Sequence, residues 1–134
     1  MMNEPVSKIM TRDLITVSPE DTLDKARALF AEKRFHHLLV VEKDLLKGLI
    51  TTSDLLWLDE PSSNYKNIKI SDVMTRKLAT LEPTDKIGSA AQIFLRNWFH
   101  ALPVVNSDGK IEGIVTTFDV LHYSFKKEYP GEEI

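Results

Sequence analysis

The sequence predicts an α+β fold made of two equivalent β-α-β-β-α modules, and three observations carry that prediction. First, the chain repeats itself about 64 residues apart. Val6-Ser7-Lys8-Ile9-Met10-Thr11-Arg12 returns as Ile70-Ser71-Asp72-Val73-Met74-Thr75-Arg76, and Gly48-Leu49-Ile50-Thr51-Thr52-Ser53-Asp54 returns as Gly113-Ile114-Val115-Thr116-Thr117-Phe118-Asp119. With one extra residue near Gly109, roughly twenty of about fifty aligned positions are identical, against about three for unrelated segments drawn from average usage. The period is too long for a solenoid. Second, each copy carries one stretch of helical periodicity. Third, each copy carries two short apolar runs split by a turn.

The elements follow in order. Leu14 to Val17 is a short apolar strand that meets Ser18-Pro19-Glu20-Asp21, where proline and acidic residues announce a helix start. Leu23, Ala26, Leu29 and Phe30 then recur at helical spacing, with Asp24, Lys25, Glu32 and Lys33 on the other faces. Leu38 to Val41 and Leu46 to Thr52 read as paired strands around Glu42-Lys43-Asp44, and Ser53-Asp54-Leu55-Leu56 opens a second helix. In the second copy the strand is Ala79 to Leu81, and the helix follows Pro83-Thr84-Asp85 with Ile87, Ala90, Ala91 and Phe94 inward. Its hairpin turns at Asn106-Ser107-Asp108-Gly109, and Phe118-Asp119-Val120-Leu121 opens the last helix. This organisation assigns repeat 1 to residues 1–57, a polar linker to 58–69, repeat 2 to 70–125 and a frayed polar tail to 126–134.

Composition narrows the function classes. A net charge of −3 supplies no electrostatic surplus for a nucleic-acid backbone or an anionic membrane. With no cysteine there is no disulfide framework, thiol catalysis or Cys-based zinc site. The opening Met1-Met2-Asn3-Glu4-Pro5 is too polar for a signal peptide, and no run approaches the roughly 18 apolar residues of a membrane span. The expectation is a soluble, cytoplasmic protein without nucleic-acid or membrane partners. It is also not an enzyme: there is no Gly-x-Ser-x-Gly elbow, no phosphate loop and no nucleophile beside a base in the repeated motif, so no catalytic residue is assigned.

The densest chemical signal is the repeated Gly-x-x-Thr-x-x-Asp. Thr51 and Thr116 end an apolar strand, and Asp54 and Asp119 follow three positions later as a helix begins. One reading is a capping box, with the hydroxyl and the carboxylate each accepting a backbone N–H. The other adds a ligand: a helix start suits phosphate oxygens, and an aspartate there is placed to accept hydrogen bonds from a ribose cis-diol. Geometry alone leaves both open.

The tandem β-α-β-β-α repeat, the proline after the first strand, the Phe35-His36-His37-Leu38-Leu39-Val40-Val41 strand and the Gly-x-x-Thr-x-x-Asp ending together resemble a pair of CBS domains, the cystathionine-β-synthase module, over about residues 6 to 125. The resemblance implies two repeats packed by pseudo-twofold symmetry as a Bateman-type module, with adenosyl nucleotides (AMP, ADP, ATP or S-adenosylmethionine) bound in clefts between the two sheets as regulatory ligands. By the same resemblance Asp54 and Asp119 hold ribose, and the hydroxyls of Thr51, Ser53 and Thr116 reach ribose or phosphate. His36, His37 and His100 stand where phosphate is met, and Ile15, Thr16, Val17, Ala79, Thr80 and Leu81 match the adenine-lining region. Phe118 and Ala101 depart from the first copy's Ser53 and His37, which separates the two sites.

The histidines have a competing reading as hydrogen-bonded residues at a strand start. Their recurrence as Phe35-His36 and Phe99-His100 weighs toward a ligand role, in which imidazolium pairs with phosphate near neutral pH. Adjacent His36 and His37 face opposite sides of a strand, so no metal site is expected. Lys33 and Arg34 are a solvated helix end or additional phosphate contacts beside His36. Phe30 and Phe94 read as core. The resemblance also implies a homodimer through helices, for which Trp57, Trp98 and Phe99 are the candidate surface, with core packing the alternative for Trp98. Because the repeats fill this chain, the output is expected to pass to a separate effector protein or to the assembly state. The competing expectation is a non-catalytic dimerisation or interaction scaffold with occluded or vestigial clefts.

Overall fold

A computed structural model describes residues 2–33 and 36–133, without the Lys33 side chain. The elements are β1 (Thr16–Val17), α1 (Leu23–Lys33), β2 (His37–Glu42), β3 (Leu45–Thr51), α2 (Thr52–Leu56), α3 (Ile87–Arg96), β4 (Ala101–Val105), β5 (Ile111–Thr116) and α4 (Thr117–Glu128), with short 3-10 segments at Val6–Lys8, Ser62–Asn67 and Ile70–Asp72. They form two compact units. One is contiguous, residues 15–78; the other is split, joining residues 1–14 to residues 79–134. Each unit therefore takes its opening Val/Ile-Ser-x-Ile/Val-Met segment from the other sequence repeat.

In the contiguous unit, β2 lies between β1, which it pairs in parallel, and β3, which it pairs antiparallel. The β2–β3 connection is two residues, Lys43 and Asp44, both at positive φ (53° and 66°), the backbone that matches the twist of a tight hairpin. Ser18 and Asp21 organise the entry to α1: the Ser18 N–H donates to Asp21 Oδ2 at 2.8 Å, and the Asp21 N–H donates to the Ser18 carbonyl at 3.0 Å. Leu23, Ala26 and Phe30 then face the core with Val17, Leu38, Val40 and Ile50, while Leu29 packs at its edge. The stretch expected as a polar linker contributes Tyr65, which is buried in this core with its hydroxyl 3.4 Å from the Leu55 carbonyl. Ile70 and Met74 complete it.

The split unit repeats the plan. Antiparallel β4 and β5 turn through Asn106–Lys110, where Gly109 takes φ 79°. Val6, Met10, Leu81, Ile87, Ala90, Leu102, Val104, Val115 and Val120 form its core, with Phe94 packed against it. The N-terminal segment is stitched in by Val6 N–H to the Asp85 carbonyl (2.7 Å), Ile87 N–H to the Glu4 carbonyl (2.9 Å) and a reciprocal pair between Thr11 and Ile114. The expected strand over Ala79 to Leu81 shrinks to one bridge, Leu81 with Val104. The reason is local: Pro103 stands where β2 has Leu39, and it has no N–H with which to extend a parallel ladder. At the other end α4 runs to Glu128, so the helix reaches into the expected tail. Among the described residues no helix is long and apolar enough to cross a membrane.

Candidate functional site

Both units build the same corner where the hairpin hands over to a helix. Thr51, the last residue of β3, is the N-cap of α2: its Oγ1 accepts from the Asp54 N–H at 3.2 Å, and Asp54 Oδ2 accepts from the Thr51 N–H at 2.8 Å. Thr116 and Asp119 repeat the reciprocal pair at 3.1 and 2.8 Å at the start of α4. The capping box anticipated from the motif is thus present twice. It engages one oxygen of each carboxylate, Oδ2, and fixes the side chain, so the other oxygen, Oδ1, is held at a defined place beside the helix start.

The histidines join this corner through the backbone. The His36 carbonyl accepts from the Thr52 N–H at 3.1 Å, and the His100 carbonyl accepts from the Thr117 N–H at 3.0 Å. Both His36 and His100 side chains are exposed. His37 pairs directly across from Thr51 in the β2–β3 register, and Ala101 pairs across from Thr116. Residues facing each other in this way carry their side chains on one face of the sheet. His37 therefore flanks the capping threonine of the contiguous unit, where the split unit has a buried methyl group.

Parallel pairing of β1 with β2 matches Thr16 to Leu39, so the start of β1 lies at the same end of the sheet as His37 and Thr51. Ile15 and Thr16 are exposed there. In the split unit Ala79 and Thr80 are exposed in the equivalent place, one residue before the Leu81 bridge. Val17 and Leu81 are each 3% exposed and belong to the cores. What these segments expose is Ile15, Thr16, Ala79 and Thr80. Ile15–Thr16 thus shares a unit with Asp54, and Ala79–Thr80 shares a unit with Asp119.

Ser53 is exposed on the first turn of α2. Phe118, its counterpart, is 69% exposed, with its ring 6.0 Å from that of His122. Arg34 and Phe35 lie outside the described residues, as does the Lys33 side chain. Sequence reasoning did not single out Thr52 and Thr117, the second hydroxyls of each corner; the doubled threonine in both copies was the available signal. Trp57 and Trp98 are 84% and 95% exposed, which removes core packing as an account of Trp98. Phe99 is exposed as well. An open depression of about 410 Å³ beside α2, lined by Arg27, Leu55, Leu58 and Tyr65 among others, shares only Thr52 with the corner.

The profile of the CBS domain matches the chain twice, over residues 6–59 and 70–126. The chain is similar to the uncharacterized protein MJ1404 of Methanocaldococcus jannaschii, 33% identical over 131 residues, which cover 96% of this chain and 30% of that protein. It is also similar to an inosine-5'-monophosphate dehydrogenase of Thermoplasma acidophilum, 35% identical over 113 residues, covering 84% of this chain and 22% of the enzyme. The chain therefore spans a minor part of the length of these curated relatives. Among solved structures, CBSX2 of Arabidopsis thaliana in complex with AMP superposes with a TM-score of 0.85 at 30% identity, covering 93% of this chain and 98% of that one.

Proposed function

Starting from the fact that this chain belongs to the CBS-domain family and carries two CBS domains in tandem, we propose that it is a regulatory module that binds an adenosyl nucleotide and signals through a change of conformation or dimer geometry. The ligand class is AMP, ADP, ATP or S-adenosylmethionine. The observation that carries this reading is the carboxylate of each capping box, locked by one oxygen and offering the other where a ribose diol is to be held. The AMP complex of CBSX2, alike over nearly its whole length, supports the choice of ligand.

In this reading Asp54 and Asp119 accept hydrogen bonds from ribose hydroxyls, and Thr51, Ser53 and Thr116 supply hydroxyls toward ribose or phosphate. His36, His37 and His100 meet phosphate, and the exposed parts of residues 15–17 and 79–81 face the adenine. The chain performs no catalysis of its own; the dehydrogenase among its relatives matches it over 22% of the enzyme's length. It acts in the cytoplasm as a homodimer on an effector protein, with Trp57, Trp98 and Phe99 on the surface between copies. Ligand-driven signalling then requires the nucleotide to favour one arrangement over another.

The test is calorimetric titration of AMP, ADP, ATP and S-adenosylmethionine into the protein, with Asp54→Ala and Asp119→Ala alongside. Saturable binding lost in an aspartate variant is expected, with about 2.7 kcal/mol of added unfolding stability at a hundredfold excess over Kd. No heat and no stabilisation from any of the four would favour the second reading, an interaction scaffold with vestigial sites, for which Phe118 is the specific observation.

A further inference from the structure

We propose that two copies of this chain pair through α4 of the split unit, antiparallel about a two-fold axis, with the row Phe118, His122, Phe125 and Tyr129 as the seam. The proposal rests on the homodimer reading above and deepens it by naming the element and the direction of pairing.

α4 has two faces of opposite character. Val120 is buried in the split unit's core and Tyr123 packs against it. That turns Phe118, His122, Phe125 and the C-cap Tyr129 to the other side of the helix. Phe118, Leu121 and Tyr129 are each more than half exposed, and Phe125 is over a third exposed. The row is already ordered: the rings of Phe118 and His122 lie 6.0 Å apart, and those of Phe125 and Tyr129 lie 5.0 Å apart. The bond from the Thr117 N–H to the His100 carbonyl brings the exposed Trp98 and Phe99 to the start of the same helix.

Two features fit a second copy in that place. The first is area. Taking about 200 Å² for a bare side chain of this size, Trp98, Phe99, Phe118, Leu121, Phe125 and Tyr129 leave about 700 Å² in solvent. The largest apolar patch on an ordinary monomer is about 300–600 Å². One side of a stable dimer buries about 800 Å², of which roughly two thirds is apolar in homodimers, so this patch alone meets the requirement. The second is symmetry. The row is spaced by four, three and four residues and reads the same in both directions. Two antiparallel copies therefore set Phe118 against the partner's Tyr129 and His122 against the partner's Phe125, as a two-fold interface demands. In the contiguous unit the matching positions are Ser53, Trp57 and Glu60, on a helix that ends at Leu56, so no such row forms.

Sedimentation velocity of the wild-type chain, Leu121→Glu and Phe125→Glu tests this. The wild type is expected to run as a dimer and both variants as monomers with an unchanged far-UV circular dichroism spectrum. A second measurement needs no disruptive charge. The chain has no cysteine, so in a single-cysteine variant a short bismaleimide joins only that position to its own copy. Phe125→Cys, beside the axis, is expected to give a cross-linked dimer. Phe118→Cys, about 16 Å from its own copy along the antiparallel pair, is expected to give none until it is mixed with Tyr129→Cys chains. A dimer that persists in both glutamate variants, or Phe118→Cys cross-linking to itself, would overturn the proposal while leaving a homodimer standing. A monomeric wild type would overturn the homodimer reading and this proposal together.

Discussion

Met74 lies so close to Gly48 that a β-carbon on the glycine would stand 2.6 Å from the methionine sulfur and 2.9 Å from the Thr75 carbonyl oxygen; Met10 and Thr11 repeat the approach at Gly113 with 2.7 and 2.9 Å. The methionine is flexible enough to give way. The carbonyl is not, because Thr75 exchanges hydrogen bonds with Leu49, and Thr11 with Ile114. Gly48→Ala and Gly113→Ala are each expected to lose about 1–3 kcal/mol of stability, the range for overpacking a filled site. Urea unfolding measures it; a loss under about 0.5 kcal/mol, the scale of a neutral surface change, would contradict the tight approach.

Asp54 holds the cap of α2, so its replacement by alanine acts on folding as well as on ligand. Asp54→Asn keeps an oxygen that accepts from the Thr51 N–H and is expected to stay within about 0.5 kcal/mol of wild type, whereas Asp54→Ala costs a further 0.5–2 kcal/mol, approximately the range for loss of a cap. If Asp54 also holds ribose, Asn lowers AMP affinity despite that near-native stability. Thermal unfolding and titration of the same two proteins separate the roles.

Glu4 ties the N-terminal segment to α4. Tyr123 donates to its Oε1 at 2.7 Å, Lys127 lies at 2.9 Å from the same oxygen, and Lys8 lies at 2.9 Å from Oε2. These three partners, the Tyr123 hydroxyl foremost, hold the carboxyl down to about 2 from its ordinary 4.5. A group lowered on folding adds stability that is complete above the unfolded value and is lost as pH falls through the folded one. Glu4→Gln should therefore flatten the fall in stability between pH 4.5 and about 2. Glu4 is half-buried but its lysine partners stand in solvent, so salt is expected to shrink the difference.

Tyr65 anchors a segment whose composition is that of a linker. Tyr65→Phe removes only the hydrogen bond to Leu55 and is expected to cost about 0.5–1.5 kcal/mol. Tyr65→Ala empties the site and is expected to cost about 3–5 kcal/mol, the range for aromatic-to-alanine changes in a core. Chemical denaturation of the two variants distinguishes a core residue from a loop residue, for which both values would fall near zero.

Trp57 and Trp98 stand almost fully in solvent. Replacing either by lysine is expected to leave monomer stability within about 0.5 kcal/mol. If these rings form the surface between copies, the same changes convert dimer to monomer in sedimentation velocity. An unchanged sedimentation coefficient in both variants would remove the two tryptophans from that surface.

Much of this was legible in the residues. Helical spacing placed Leu23, Ala26, Phe30, Ile87 and Ala90 in the cores because a 3.6-residue period buries one face whatever the packing partner. The Thr-x-x-Asp spacing announced the capping box because that contact is local. Three things were not legible. Residues 1–14 join residues 79–134, a relationship that no local pattern encodes. Tyr65 is buried, although its neighbours Ser62, Ser63, Asn64 and Lys66 read as solvent-loving. And the second copy's first strand is cut to Leu81 by Pro103, a residue that acts on the neighbouring strand rather than on its own.

The split membership of the N-terminal segment sets an order of events during synthesis. Residues 15–78 form a unit from one uninterrupted stretch, so that unit has all its parts as soon as Leu78 clears the ribosome. Val6 and Met10 emerge earlier, yet their partners Leu102, Val104 and Val115 lie roughly a hundred residues downstream. At about 5–20 residues per second those apolar side chains wait several seconds or longer without their native cover. The segment that emerges ahead of the contiguous unit thus finds its cover only after that unit has all its parts, and closing that long loop is the step on which completion of the split unit depends.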